Sequence, residues 1–314
     1  MRGAFVKTLL SLAEEDERIV LLTGDLGYMV MEPFAEKFPT RFINAGVAEQ
    51  NMVGLATGLA EAGLIPFVYS IVTFASLRPY EFIRNGPILH HLPVRIAGVG
   101  GGFEYGHNGV THFGLEDAGI MRVQPGISVM APADYQQTET VLRKSWQLPG
   151  PVYYRLGKDD KTVVPGLDGS FEVGRLQVIR EGADVAFVAM GGMAGPVMAA
   201  ASLLAERGIE ASVAVLASIS PAPVDDLEVF LGKHRVALTA EAHYISGCAG
   251  SLVAEVIAER GVSCRLVRCA VNRVPAGITG SQKFMEAAFG LSAEGLAERA
   301  EQAVRDANAS VAVN

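Results

Sequence analysis

Three polar side chains stand together where the segment RFINAGVAEQNMVGLATGLAEAGLIPF changes at Gly46 from a strand pattern to a helix pattern. Glu49, Gln50 and Asn51 occupy the first turn of this helix, where the helix dipole favours a negative charge. The body of the helix is rich in small residues, which permits close approach of another backbone. The carboxylate of Glu49 could hold or share a proton there. The alternative is a cap on a buried helix.

A second segment, GVGGGFEYGHNGVTHFGLED, contains seven glycines together with two histidines, a tyrosine and several acids. It lies between a strand pattern and a helix pattern and is too long and too rich in functional side chains for a simple connector. Loops of this kind commonly bind ligands. A disordered surface loop is the alternative, although the LED run at a helix start favours order.

Other catalytic patterns are weak in this sequence. His90 and His91 have no ligand spacing to another histidine, cysteine or acid, so we expect them to be structural and assign no metal ligands. A nucleophilic serine in a GxSxG motif is missing. The run MGGMAG at residues 190–195 lacks the third spaced glycine and the acidic partner of a dinucleotide site, so we interpret it as a tight turn.

Composition excludes several classes of function. The 314 residues include 26 basic and 34 acidic side chains, which gives a net charge of −8 without any basic run. This balance argues against nucleic acid and anionic membranes as partners. No apolar run approaches the roughly 20 residues that cross a bilayer. Cys248, Cys264 and Cys269 lack paired spacing, so we expect buried thiols, a reducing compartment and a cytoplasmic protein.

The elements that must position the two segments alternate between strand and helix. Short, continuously apolar runs are typical of strands covered on both faces, and hence of a parallel α/β sheet. The predicted strands are residues 19–23, 41–44, 66–74, 94–99, 127–133, 151–156, 185–190, 211–219, 235–242 and 264–270. The predicted helices are residues 2–13, 48–62, 76–85, 134–146, 195–207, 224–233, 249–260 and 293–306. This order predicts an α/β protein.

A break in the pattern divides the chain. Residues 157–174, GKDDKTVVPGLDGSFEVG, lose periodicity and gather charge, glycine and proline, as interdomain connections do. We therefore predict a first α/β domain with a parallel sheet over residues 1–160, a linker over residues 161–178, and a second α/β domain over residues 179–314.

With these motifs in view, the chain resembles the carboxy-terminal portion of transketolase-like thiamine diphosphate enzymes, in which a pyrimidine-binding domain precedes a transketolase C-terminal domain. GVAEQNMVG resembles the helix with the cofactor-activating glutamate, and GHNGVTHFG resembles the family loop GxDGPTHQ. GDLG is similar to an early aspartate segment, and SIVTFASLRPYE is similar to the aromatic stretch that stacks on the cofactor. The resemblance covers nearly the whole chain, and four motifs in order are more specific than any one.

The resemblance implies that Glu49 activates thiamine diphosphate. A carboxylate against the pyrimidine ring nitrogen shares a proton with it and favours the imino tautomer, which then acts as an internal base. Such a carboxyl needs a raised pKa, which we expect from apolar neighbours. The resemblance also implies that Phe74 stacks on the aminopyrimidine, with Arg78 or Tyr80 nearby.

Further cofactor contacts follow from the same resemblance. Val47 is expected to help hold the cofactor bent, and Asp25 and Leu26 to lie beside the thiazolium across an interface between subunits. The diphosphate-binding half of the family carries a GDG motif with a downstream Asn, which hold Mg²⁺, and this sequence has neither in that arrangement. We therefore expect thiamine diphosphate and Mg²⁺ to be held largely by another chain.

Substrate contacts are implied for the glycine-rich loop. His107, Asn108 and His112 are expected to face the substrate, with His112 also catalytic. Asn108 replaces the family aspartate, and an asparagine can donate hydrogen bonds that an ionised aspartate cannot, which leaves donor recognition open. Arg155, in PVYYRLG, resembles a phosphate-binding arginine. A surface salt bridge is the alternative for Arg155.

These implications favour a split enzyme. In this interpretation the chain is the small, C-terminal subunit of a transketolase that moves a two-carbon ketol unit between sugars or sugar phosphates. Its partner is an N-terminal subunit with the diphosphate-binding domain, and homodimer contacts within an α2β2 assembly are expected by analogy.

Three alternatives remain open. The chain could be the β subunit of a 2-oxo acid dehydrogenase decarboxylating component, or an enzyme like deoxyxylulose-phosphate synthase. From a different class, it could be a non-catalytic regulatory paralogue. The TH-containing loop favours transketolase, and the presence of Glu49, Phe74 and His112 argues against a non-catalytic role.

Overall fold

A computed structural model describes the backbone of residues 1–312 and the side chains of residues 1–309. The strands are β1 (Ile19–Thr23), β2 (Phe42–Asn44), β3 (Ile65–Ile71), β4 (Arg95–Val99), β5 (Ser128–Met130), β6 (Val152–Leu156), β7 (Gln177–Arg180), β8 (Val185–Met190), β9 (Ala211–Leu216), β10 (Ser218–Ser220), β11 (Val236–Tyr244) and β12 (Arg265–Val271). The helices are α1 (Arg2–Glu15), α2 (Glu32–Lys37), α3 (Glu49–Glu61), α4 (Val72–Ser76), α5 (Tyr80–Ile83), α6 (Asp117–Arg122), α7 (Tyr135–Ser145), α8 (Ala194–Ala205), α9 (Val224–Gly232), α10 (Ala249–Arg260), α11 (Gln282–Ala288) and α12 (Ala293–Ala312).

The strands form two mainly parallel sheets. The first has seven strands in the order β10-β5-β6-β4-β3-β1-β2, and the second has five in the order β12-β11-β8-β9-β7. Strands β1, β4, β6 and β8 are buried along their whole length, as their unbroken apolar character predicts. The antiparallel pairs are β10 with β5 and β7 with β9. The predicted two-domain α/β fold is confirmed.

Helices cover both faces of the sheets. Ile19 and Leu21 of β1 belong to one core cluster and Val20 and Leu22 to the other, as the alternation of side chains in a strand requires. The first cluster includes side chains from α1, α7, α8 and α12, and the second includes side chains from α3, α9 and α10. Each cluster runs through both domains, so the core is continuous between them.

Two predicted strands differ from the observed ones. The run predicted over residues 211–219 divides at Ala217, and its second part, β10, pairs with β5 of the first domain. The predicted boundary at residue 160 therefore describes the chain order but not the sheets. The run predicted over residues 66–74 ends at Ile71, because the chain enters helix α4 there. The end of the predicted second domain, residues 313 and 314, lies outside the described residues.

The predicted helix over residues 76–85 is broken. Its first residue, Ser76, ends α4, its middle forms α5, and residues Arg84–Ile88 form a wider helical turn. The cause is Pro79, which has no N–H to donate and disfavours helical geometry at Arg78 before it. Arg78 consequently lies in a turn between α4 and α5.

The three thiols are free in the structure. Cys248 and Cys269 are buried as expected, whereas Cys264 is only half-buried, because it lies just before the exposed start of β12. Among residues 1–312, no helix combines the length and the apolar character needed to span a membrane.

Candidate active site

The candidate site forms at the carboxyl edge of the first sheet. Parallel strands β1, β2, β3 and β4 all end there, so the segments that follow them meet. The segment after β1 carries Asp25 and Leu26, the one after β2 leads to Glu49, and the one after β3 carries Phe74 and Arg78. The glycine-rich loop follows β4. This topology brings the sequence motifs to a common edge.

Glu49 is the first residue of α3, and its side chain is 2% exposed. Its carboxylate does not cap α3; instead it receives hydrogen bonds from two neighbours. The Arg78 guanidinium donates from Nη1 to Oε2 at 2.9 Å, and the Ser70 hydroxyl of β3 donates to Oε1 at 3.4 Å. A buried carboxylate requires such partners, since an unpaired charge in an apolar interior is very costly.

Gly24 lies beside the Glu49 carboxylate, and Gly46 forms the turn that leads to it. A Cβ atom at Gly24 would lie 3.5 Å from Oε1 of Glu49 and 3.5 Å from the Gly46 carbonyl oxygen. Gly46 has a φ of +73°, a conformation that side-chain-bearing residues rarely adopt. The chain can therefore turn sharply from β2 into α3 and bring Glu49 against β3.

Asn44 connects the ends of β1 and β2. Its Oδ1 accepts the backbone N–H groups of Asp25, at 3.1 Å, and Gly46, at 3.0 Å, and its Nδ2 donates to Oδ1 of Asp25 at 2.9 Å. Asp25 is held at a φ of +58° by this arrangement. Asn44 was not predicted as a site residue, although an asparagine at a strand end is a common turn residue. The Leu26 carbonyl accepts a hydrogen bond from the Thr23 hydroxyl at 2.7 Å.

Arg78 also contacts Phe74 of α4. The guanidinium carbon lies 3.8 Å from the centre of the Phe74 ring, a cation–π distance. The other neighbour of Phe74 is His112, whose ring centre lies 5.1 Å away with the two planes at 68°. The structure thus brings Glu49, Arg78, Phe74 and His112 into one row of contacts. Phe74 lies on a helix, not on the strand that its apolar context predicts.

His112 belongs to the glycine-rich loop. Its Nδ1 lies 2.9 Å from the Thr111 hydroxyl. Burial, and after it the positive charge of Arg78, lower the pKa of His112. A lowered pKa favours the neutral imidazole near pH 7, which can either donate or accept a proton.

The loop is ordered because its base is packed. The Phe103 ring lies 5.2 Å from the Phe113 ring and 5.3 Å from the Phe289 ring of the second domain. Gly102 and Gly114 pair as an isolated antiparallel bridge. His107 and Asn108 lie at the tip of the loop, where both are exposed. Both side chains are therefore open to solvent, whereas Glu49 is buried.

Tyr105, Glu104 and Lys158 form a second row beside His112. The Tyr105 ring lies 6.2 Å from the His112 ring, and the Lys158 ammonium lies 4.1 Å from the centre of the Tyr105 ring. Burial raises the pKa of Glu104 to about 7. Glu104 and Tyr105 belong to the glycine-rich loop that the sequence indicates, whereas Lys158 is distant in the chain and only the fold brings it to the loop.

Two expected site residues, Arg155 and Tyr80, are engaged by other partners, and a third, Val47, is exposed. Arg155 is buried, and its guanidinium donates to both oxygens of Asp117, so neither the expected phosphate contact nor the alternative surface salt bridge agrees with its position. The Tyr80 hydroxyl donates to the Ile120 carbonyl at 2.8 Å, which directs it toward α6. Val47 is 71% exposed on the surface before α3.

One group of three metal-ligating side chains occurs within the described part of the chain. Glu241, His243 and Cys248 place one ligand atom each within 4.8 Å of one another, and all three are buried. Both Glu241 oxygens already accept backbone N–H groups, from Ala249 and Gly250. The thiol does not suit Mg²⁺, which prefers oxygen ligands. This group lies in the second domain and is not a magnesium site.

The Arg78 guanidinium lies between the Glu49 carboxylate and the Phe74 ring. The Arg78 guanidinium shows that a flat group can hydrogen-bond to Glu49 at its edge and lie over Phe74 with its face. An aminopyrimidine ring offers the same combination of a flat face and nitrogen atoms at one edge. We call the space between these two side chains the pyrimidine slot.

Comparisons with known proteins agree with this geometry. The family described as transketolase, pyrimidine binding domain, matches residues 1–162, and transketolase, C-terminal domain, matches residues 174–296. A protein of Methanocaldococcus jannaschii named "Putative transketolase C-terminal section" is 37% identical over 302 residues, covering 95% of this chain and 94% of its own. One of the subunits of apulose-4-phosphate transketolase from Phocaeicola vulgatus is 31% identical over 309 residues, covering 97% of each.

A solved structure described as a split gene transketolase, inactive beta4 tetramer, is 36% identical to this chain. It superposes with a TM-score of 0.87 and covers 97% of both chains. This chain thus shares both domains, their order and nearly its full length with proteins described as transketolase sections or subunits. The chain belongs to the transketolase family, and it matches the pyrimidine-binding and C-terminal domains of that family.

Proposed function

We propose that the chain is the C-terminal subunit of a split, thiamine diphosphate-dependent transketolase and transfers a two-carbon ketol unit between sugars or sugar phosphates. The observation that carries this proposal is the buried Glu49 carboxylate, which faces the flat pyrimidine slot beside Phe74. The name of the Phocaeicola vulgatus relative supports a phosphorylated ketose as substrate.

When bound, thiamine diphosphate would supply the carbon that carries the ketol unit between donor and acceptor and that stabilises the carbanion formed there. The residues of this chain orient the cofactor and move protons. Glu49 holds the proton at the pyrimidine ring nitrogen, and Phe74 packs against the ring face. The ring centre of His112 lies 5.1 Å from that of Phe74. Because the lowered pKa of His112 favours its neutral form near pH 7, the imidazole is available to exchange a proton with a substrate hydroxyl.

A partner subunit is proposed to close the site. Apolar side chains that lie within four residues of Asp25, Glu49, Arg78 or His112 in the chain are exposed, which is costly for a free surface but favourable in an interface. Val47, Leu77 and Val110 are 71%, 45% and 55% exposed, and Tyr28 and Met29 are 86% and 92% exposed. We infer that an N-terminal subunit covers them and holds the diphosphate and Mg²⁺, within an α2β2 assembly.

The test uses the chain co-purified with its N-terminal partner, thiamine diphosphate and Mg²⁺. We expect Glu49→Gln to abolish ketol transfer while assembly, measured by size-exclusion chromatography with light scattering, is unchanged. Gln50→Glu is the matched control, because Gln50 is exposed in the same helical turn. Near-normal turnover by Glu49→Gln would refute the cofactor assignment.

Product analysis separates the enzyme classes. A transketolase forms a new ketose from a ketose and an aldose without release of carbon dioxide, whereas a 2-oxo acid dehydrogenase component releases it. The same assay on pyruvate with glyceraldehyde 3-phosphate tests a synthase of deoxyxylulose phosphate. Release of carbon dioxide from a 2-oxo acid alone, or from pyruvate with glyceraldehyde 3-phosphate, would refute the transketolase proposal in favour of the corresponding alternative.

A further inference from the structure

The pyrimidine slot is filled by a side chain of the same subunit. The Arg78 guanidinium lies 2.9 Å from Glu49 through Nη1 and 3.8 Å from the centre of the Phe74 ring through Cζ. These are the two contacts that the proposed function assigns to the aminopyrimidine ring. Two flat groups cannot occupy the same face of Phe74 and the same carboxylate oxygen together.

We propose that Arg78 acts as an internal occupant of the pyrimidine slot and must swing out to solvent before an aminopyrimidine can bind. The inference rests on the proposed function, since it takes the slot as the cofactor site. The guanidinium suits this part because it is planar and carries N–H donors at its edge.

The surroundings of Arg78 allow it to leave. Its side chain is 44% exposed, whereas that of Glu49 is 2% exposed. It lies in the turn between α4 and α5, before Pro79, and is not held within a helix. Among residues 1–309, Glu49 is its hydrogen-bonding partner. An outward rotation therefore exchanges one ion pair and one ring contact for water, and water that enters the space left by the guanidinium solvates the Glu49 carboxylate so that it is not left unpaired.

The contacts that hold Arg78 in the slot are of moderate strength. Partly exposed ion pairs and cation–π contacts are each weak, and together they favour the closed position by roughly 3- to 30-fold. A ligand that binds only the open position loses apparent affinity by the same factor. Removal of the Arg78 side chain should therefore raise the apparent affinity for such a ligand by that factor.

The experiment measures ligand binding to the isolated full-length chain. Thiamine is the first probe, because it has the aminopyrimidine but no diphosphate and so needs no partner subunit. The neutral 4-amino-5-hydroxymethyl-2-methylpyrimidine is the second, because it removes charge repulsion as an explanation. Affinities are determined by calorimetry or ligand-observed NMR for the unmodified chain, Arg78→Ala and the matched exposed control Arg84→Ala.

We expect Arg78→Ala to bind both probes about 3- to 30-fold more tightly and Arg84→Ala to bind them as the unmodified chain does. Equal or weaker binding by Arg78→Ala overturns the proposal, since it would make Arg78 a bystander or a ligand contact. A gain for thiamine alone also overturns it, because charge repulsion would then be sufficient.

A Glu49→Gln change in the Arg78→Ala background separates this proposal from the function. If binding depends on Glu49 but not on Arg78, the slot is the pyrimidine site and Arg78 is no occupant. If neither the unmodified chain nor Arg78→Ala binds either probe, the proposal for Arg78 fails, whereas the proposed function is decided by the turnover of Glu49→Gln in the assembled enzyme.

His112 provides a readout that needs no ligand. The Arg78 charge lowers the pKa of His112 in the closed position. An NMR titration of the histidine ring should therefore show a higher pKa in Arg78→Ala than in Arg84→Ala. Equal values in the two variants would mean that Arg78 does not reside beside Phe74 in solution, and the proposal would fail.

Discussion

Two of the arginine–carboxylate pairs in the described residues, Asp117–Arg155 and Glu49–Arg78, differ in how completely they are enclosed. In the Asp117–Arg155 pair, the two side chains are 1% and 7% exposed, and the Asp117 carboxylate also accepts the Tyr153 hydroxyl at 2.8 Å. The Arg155 guanidinium further donates to the carbonyls of Gly114 and Ala242. In the Glu49–Arg78 pair, one partner is buried and the other is 44% exposed.

The difference separates a structural pair from an exchangeable one. Both oxygens of Asp117 are occupied, and its partner joins the first domain to the second through Ala242. No ligand could replace Arg155 without leaving several polar groups unsatisfied. Arg78 can be replaced by any flat group with a nitrogen donor, since solvent receives its charge. The same ion-pair chemistry therefore gives rigidity in one place and, in our proposal, a binding site in the other.

The largest effect is expected from Asp117→Asn. This change leaves the buried Arg155 guanidinium without a counter-charge, which should lower the free energy of unfolding by about 3–5 kcal/mol. Urea denaturation of the full-length chain measures it. The double variant Asp117→Asn with Arg155→Met should recover part of the loss. A decrease below about 1 kcal/mol would remove the distinction between the two pairs.

A smaller effect is expected from a carboxyl close to the enclosed pair. Burial raises the pKa of Glu241 to about 7, from an ordinary value of 4.5. The folded chain therefore retains this proton at a pH where the unfolded chain loses it. The retained proton stabilises the folded chain by up to about 3 kcal/mol. This stabilisation is complete below about pH 4.5 and is lost as the pH rises through 7.

Glu241→Gln cannot titrate, so its free energy of unfolding should fall less between pH 5 and pH 8 than that of the unmodified chain. Urea denaturation at a series of pH values gives the two slopes. The absolute stability of the variant will also be lower, because the amide cannot accept both N–H groups as the carboxylate does. If the free energies of unfolding of the two chains change with pH in parallel, the pKa of Glu241 is not raised in the folded state.

The smallest effect is expected from Glu49→Gln, the counterpart of Asp117→Asn at the exchangeable pair. Arg78 can turn to water and the glutamine can accept the Ser70 hydroxyl, so the free energy of unfolding should change by less than about 1 kcal/mol. The same urea experiment measures it. A loss as large as that of Asp117→Asn would mean that both pairs are structural.

The positions that meet at the sheet edge could be predicted from the sequence, because each follows the end of a parallel strand. The side chain that pairs with Glu49 could not, since that pairing depends on the turn that Pro79 forces at Arg78. Tyr105 and Lys158 meet only after the sheet has formed. Local patterns cannot encode such long-range neighbours.

Arg155 illustrates the limit of a motif. Its sequence context resembles a ligand-binding arginine, yet β6 is buried on both faces and delivers it to Asp117 at the start of α6. Residues 211–219 were predicted as a single strand because their apolar character is nearly continuous. Only the arrangement of both sheets shows that Ala217 divides it.

The short strand β10 has a consequence for how the protein responds to force or denaturant. It leaves the second domain and completes the sheet of the first, where the Ala131 N–H donates to the Ala217 carbonyl at 2.7 Å. Pulling the two halves apart would expose an unpaired edge at β5. We therefore expect the polypeptide to melt in a single cooperative transition, and we expect small molecules to enter by movement of loops and not by a hinge between the halves.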